Sequence, residues 1–144
     1  MLKTIQDLKN RSAICELNEL IPYAATIGLQ SYMEGKAHEA DIVTVLKRKD
    51  SNIGNYLIGA VHGGVVAALL EHAAIMHVLY HVETINMPRI INLSVDYLRP
   101  CRDKDTFAKG LLIKQGKKIV NVRVEAWQDD TLRPVAAAHA HFQL

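Results

Sequence analysis

Aromatic side chains are scarce in this chain: five Tyr, two Phe and one Trp among 144 residues. With 49% of residues hydrophobic, the core has to be built from aliphatic side chains and alanine. Cysteine is just as sparse. Cys15 and Cys101 are too few for a disulfide scaffold and lack metal-site spacing, so a reducing cytoplasm is the expected setting. No Pro/Gly linker, repeat or low-complexity tract divides the chain. An excess of one charge is missing too. The net charge is +2, and the basic run Lys47-Arg48-Lys49 is short and followed by Asp50, which excludes a nucleic-acid partner. The N-terminal stretch mixes charged and apolar residues and has no signal-peptide core. The expectation is one domain over residues 1–144, with residues 1–22 as an N-terminal helical segment.

What the chain does have is one long apolar stretch, Leu57–Val82. It is long enough to span a bilayer. However, Glu71 and four histidines interrupt it, and a charge near the centre of a span is costly in lipid. It therefore reads as buried in protein, with no membrane partner.

Periodicity organises the remainder. Ile5, Leu8, Ile14, Leu17 and Leu20 are spaced for a helix over residues 4–20, broken near Asn10–Ser12. Pro22 starts a new segment. Residues 27–34 and 38–48 read as two strands joined by a turn at Gly35-Lys36, and residues 49–61 as a loop. Residues 63–82 hold no Pro and many Ala and Leu, which favour helix. Their apolar residues cover almost the whole circumference, so this helix is expected to be enclosed on most sides. After Pro88 the period becomes two. Strands are predicted at 91–97, 105–114, 120–127 and 133–143, with turns at Gln115-Gly116-Lys117 and Asp129-Asp130. The fold class is α+β: a long central helix wrapped by an antiparallel meander, with two strands before it.

The chemistry concentrates between His62 and Glu71. Gly63 and Gly64 stand where the buried helix begins. The first amides of a helix lack acceptors and carry partial positive charge, so one of them is suited to hold an oxyanion. Glu71 lies mid-helix among apolar neighbours. Burial would raise its pKa toward the range of a general base; an ion-paired structural Glu is the alternative. Seven residues place Gly64 and Glu71 on one helix face, with Ala67 and Ala68 between them. They are about 10 Å apart along the axis, too far to act on one carbonyl. A site using both has to combine the glycine of one chain with the Glu71 of another, which predicts a symmetric dimer.

These residues resemble a known family. Gly59-Ala60-Val61-His62-Gly63-Gly64, with Glu71 nine residues after His62, is similar to the signature of hot-dog-fold acyl-CoA thioesterases of the PaaI-like group. The run Val95-Asp96-Tyr97-Leu98-Arg99-Pro100 and the Gly116–Val120 turn and strand extend the similarity over roughly residues 20–144. The resemblance implies a hot-dog fold with five to six strands, a homodimer or homotetramer, no cofactor, and hydrolysis of an acyl-CoA thioester. It assigns Glu71 as general base or nucleophile, Gly64 or Gly63 as oxyanion donor, and His62 as an orienting residue. Two positions depart from the pattern. Tyr56, beside Asn55, stands where many members carry Asn or Gln, so either residue is the candidate to polarise the carbonyl. Ile75 stands where some members carry Ser or Thr.

Arg99 is a candidate for gripping a CoA phosphate, against an ion pair with Asp96 or Asp103. His77 and His81 have zinc spacing, but no third ligand is evident in the sequence, so they read as packing or interface residues and no metal is expected. His139 and His141 read as a half-exposed structural pair. No serine elbow or activated cysteine is evident. The alternatives to a thioesterase are a non-catalytic acyl-CoA-binding protein and an acyl-thioester hydratase or dehydratase.

Overall fold

The computed structural model describes residues 2–10 and 13–144. It begins with three short helices, α1 (Leu2–Asn10), α2 (Ile14–Glu19) and α3 (Pro22–Ile27). The break expected near Asn10–Ser12 falls on residues 11 and 12, outside the described residues. The strand expected from residue 27 instead starts at Leu29. Pro22 sits in the first turn of α3, where its missing N–H costs nothing, and Gly28 ends the helix at φ +86° with its N–H on the Ala24 carbonyl.

Strands β1 (Leu29–Glu34) and β2 (Asp41–Leu46) pair antiparallel, with Leu29 opposite Leu46 and Glu34 opposite Asp41. β2 starts later than the expected residue 38, because residues 37–39 form a 3-10 turn. The expected loop at 49–61 contains a small hairpin, β3 (Ile53–Asn55) and β4 (Ala60–Val61). Then come the long helix α4 (Gly63–His81) and strands β5 (Arg89–Tyr97), β6 (Thr106–Gln115), β7 (Ile119–Trp127) and β8 (Ala136–Gln143).

The main sheet has six antiparallel strands in the order β1-β2-β6-β7-β8-β5. The expected meander therefore holds for β6–β8 only. β5 runs along the far edge beside β8, and residues 98–105 carry the chain back to β6. Alternation marks a strand but not its partner, so this crossover was not readable from periodicity. It anchors the chain beside the start of α4: the Val61 N–H donates to the Cys101 carbonyl and the Leu98 N–H to the Val135 carbonyl.

The core lies between α4 and the sheet. Val66, Leu69, Leu70, Ala73, Ala74 and Val78 pack on inward residues of the strands, among them Val122, Val124, Ala138 and Ala140. Small residues on β8 let the helix lie close to the sheet, which is how a chain poor in aromatics fills its interior. Truncating the fully buried Leu70 to alanine would cost about 2–5 kcal/mol. Met76 and Leu79 point the other way, onto Ile5, Leu8, Ile14 and Leu17 of the N-terminal helices. α4 is long and apolar enough to cross a bilayer, but most of its residues are enclosed between these two layers. One stripe stays open along it. Gly64 is exposed, and Ala67, Ala68, Glu71 and Ile75 are half-buried.

Candidate active site

The open stripe begins at the N-terminus of α4. His62 is the N-cap residue, and its Nδ1 accepts the Gly64 N–H at 2.9 Å. A ring nitrogen that accepts a hydrogen bond carries no proton in neutral imidazole, so Nε2 holds the proton and remains a donor. The sequence points to Gly64 as a free amide, but in the folded chain His62 takes it up. The Gly63 N–H is the one left without an acceptor among the described residues. A Cβ on Gly64 would lie 3.0 Å from the His62 ring, so the glycine makes room for that ring.

Two residues that sequence reasoning did not single out hold this turn. The Tyr97 hydroxyl donates to the Gly63 carbonyl at 2.8 Å. A Cβ on Gly54 would lie 2.7 Å from the His62 Cα, so β3 has to pass His62 as glycine. Tyr97 lies within the run that carries the family resemblance, but its reach to Gly63 spans 34 residues and has no local signal.

Asn55 and Tyr56 sit at the tip of the β3–β4 hairpin. The Asn55 Oδ1 accepts the Leu57 N–H at 3.0 Å, which leaves its amide hydrogens free to donate. Tyr56 and Leu57 are 79% and 97% exposed. An apolar pocket of ≈ 370 Å³ opens beside Gly63, lined by Ile58, Val61, Val66, Tyr97, Leu98 and Val135 among others. It adjoins a net-basic cleft of ≈ 480 Å³ through Arg99, Pro100 and Val135, with Arg102, Lys104 and Arg133 on its walls beside Asp130 and Asp129, the latter paired with Lys104. Arg99 pairs with neither Asp96 nor Asp103. It donates to the Pro134 carbonyl at 2.5 Å, and Asp103 is held by Arg48 through two bonds of 2.9 and 3.0 Å.

Glu71 stands two turns along the stripe. It is half-buried, and burial holds its carboxyl above the ordinary carboxylate range. It makes no ion pair or hydrogen bond among the described residues, so the structural alternative of a paired carboxylate is not realised within the chain. The small side chains of Ala67 and Ala68 leave the groove between Glu71 and Gly64 shallow. His72, the next residue, is different: it is buried and its Nε2 meets the Asn18 Oδ1 at 2.7 Å. His139 and His141 share the outer face of β8, as expected. His77 and His81 do have a third potential ligand, Asp41, brought from β2.

A long helix laid on a six-stranded antiparallel sheet is the architecture of the hot-dog fold, the fold of a class of thioester hydrolases. Residues 58–135 match the family model of the Thioesterase superfamily, and the chain belongs to that family. It is 28% identical to the medium/long-chain acyl-CoA thioesterase YigI of Escherichia coli K12, across 95% of this chain and 97% of the relative. A solved structure from Chromobacterium violaceum is 35% identical, with a TM-score of 0.74 over 99% of this chain and 96% of that one. A phenylacetic acid degradation-related protein from Ralstonia eutropha JMP134 is 26% identical, with a TM-score of 0.71 over 85% and 89% of the two chains.

Proposed function

We propose that the protein hydrolyses acyl-CoA thioesters at a site shared by two protomers, on medium and long acyl chains as the name of the Escherichia coli relative suggests. The observation that carries this reading is the half-buried, unpaired Glu71, set on one helix stripe about 10 Å from the amides at Gly63 and Gly64. A second chain closes that gap. The open stripe of α4 and the unpartnered edge of β5, with Ile90, Ile91, Tyr97 and Leu98 exposed, are the surfaces that would meet it.

In this mechanism the Glu71 carboxylate of one protomer takes a proton from water, and the oxygen attacks the thioester carbonyl. Charge collects on the carbonyl oxygen at the other protomer's helix N-terminus. There the Gly63 N–H is available as it stands, and the Gly64 N–H becomes available if the His62 ring turns away. Asn55, with its Oδ1 anchored, is the better placed of the two hairpin candidates to polarise the carbonyl. The C–S bond then breaks. A thiolate is a good leaving group, so no strong acid is needed to release CoA. The apolar pocket beside Gly63 suits the acyl or pantetheine portion, and the basic cleft beginning at Arg99 suits the CoA phosphates.

The test is thiol release from a panel of acyl-CoAs of increasing chain length, together with the mass of the protein in solution. Turnover highest on medium or long chains by a dimer or tetramer is expected. A monomer with full activity would overturn the shared site. Tight acyl-CoA binding with no thiol released over hours would select the binding-protein alternative.

A further inference from the structure

We infer that Asp41, His77 and His81 form a binding site for a divalent transition-metal ion of the zinc class, tying the last turns of α4 to the start of β2. Every group in it lies outside the Glu71 stripe, so the inference stands independently of the proposed reaction.

The three residues each place one ligand atom within 4.8 Å of the others. The His81 Nε2 is 2.8 Å from the Asp41 Oδ1, and the His77 Nδ1 is 3.9 Å from the same oxygen. Ligands of a tetrahedral zinc at about 2.0–2.1 Å stand about 3.3 Å apart. One contact therefore opens and the other closes by roughly half an ångström, well within side-chain adjustment. Imidazole nitrogens with a carboxylate are a donor set that zinc accepts, and His–x–x–x–His on a helix presents both rings to one point.

His77 supplies the second, independent observation. It is only 4% exposed, and its Nδ1 is buried without a hydrogen-bond partner. An orphaned buried nitrogen is costly, and a metal ion would satisfy it. The ring is held in place by its surroundings: a Cβ on Gly110 of β6 would lie 2.8 Å from the His77 Cβ, so the sheet is glycine where the histidine packs. Burial pushes His77 down to about 4, which leaves it uncharged at neutral pH, the form that coordinates.

Binding has to rearrange two things. With Asp41 accepting, His81 carries its proton on Nε2; that proton moves to Nδ1 when Nε2 takes the metal. Lys109, whose Nζ is 3.5 Å from the Asp41 Oδ2, competes for the carboxylate and swings out. A cleft of ≈ 450 Å³ opens at Asp41 and Lys109, from which water would supply the fourth ligand.

The test uses chelator-treated full-length protein without a histidine tag, titrated with Zn²⁺ by calorimetry and with Co²⁺ by its visible absorption. One equivalent per chain is expected, with the absorption of a tetrahedral site. His81→Ala and Asp41→Asn each weaken Zn²⁺ binding at least tenfold. His81 is exposed, and Asn keeps the shape of the partly buried Asp41 and its acceptor for the Ile42 N–H, so these variants keep the fold where His77→Ala would disturb the core. His141→Ala, on the outer face of β8, leaves binding unchanged. No saturable binding, or equal binding by His81→Ala and the unsubstituted protein, overturns the site; so does a His141→Ala variant that loses binding as fully as His81→Ala.

Discussion

Glu71 and His72 are adjacent on α4, both polar in an apolar helix, and the fold treats them oppositely. His72 points into the layer between α4 and the N-terminal helices. There Asn18 accepts its proton, while the Ser31 hydroxyl donates to the same oxygen and meets Thr44 at 2.9 Å. Glu71 points along the open stripe and has no partner. A buried polar group with its hydrogen bonds satisfied is part of the framework. A half-buried carboxylate with none keeps part of its desolvation cost, and its free oxygens face the open stripe. The same helix thus carries a hydrogen-bonded polar residue and an unpaired carboxylate one residue apart.

That contrast can be broken most sharply at Glu71. Glu71→Gln keeps the shape and removes the base, so thiol release should fall by roughly 10³-fold. The melting temperature should hold or rise, because a desolvated charge is gone. Activity within threefold of the unsubstituted protein would end the role of Glu71. The next largest effect is expected at Gly54→Ala. Its Cβ would sit 2.7 Å from the His62 Cα, displacing the cap over Gly64 and lowering kcat/KM by about 10²-fold, as steady-state assays would detect.

Asn18→Ala probes the other face. It leaves the His72 N–H and the Ser31 hydroxyl without their acceptor, at a cost of about 1–3 kcal/mol. Chemical denaturation should reveal that loss, while kcat stays nearly constant. Equal damage to activity would mean that the two faces are not separable.

Acid should separate them by sign. His72 and His77 lie near 4 when folded against 6.5 for the ordinary imidazole, each lowered first by burial. Protons therefore bind the unfolded chain first, and stability present above pH 6.5 is lost as pH falls toward 4. Glu71 is raised by burial, so there the folded chain takes the proton first and acid relieves a cost. Melting curves against pH should fall through the 6.5-to-4 window, and more steeply in Glu71→Gln, which lacks the opposing gain. The acid limb of kcat should lie above the ordinary Glu value of 4.5.

Much of this was legible residue by residue. The alternation in β7 and β8 and the breakless apolar run of α4 follow from side-chain periods that the backbone imposes locally. Gly63, Gly64 and Glu71 stood out because glycine at a helix start and a carboxylate inside an apolar helix are both unusual. Other features had no local signature. Whether the Gly64 amide is free depends on the rotamer of His62. The ladder of β5 depends on a crossover that no alternation encodes. Asp41 is separated from His77 by 36 residues, so the third ligand candidate beside the histidine pair emerged only in the fold.

The aliphatic, alanine-rich core, the long enclosed helix and the two chemical landmarks along it were determined by the sequence, because composition and period act over a few residues. Which face of that helix stays open was decided by tertiary structure. The N-terminal helices cover Met76 and Leu79, and the sheet covers Leu69, Leu70 and Ala73. Neither layer covers the stripe from Gly64 to Glu71, because packing assigns neighbours across distances that no local pattern records.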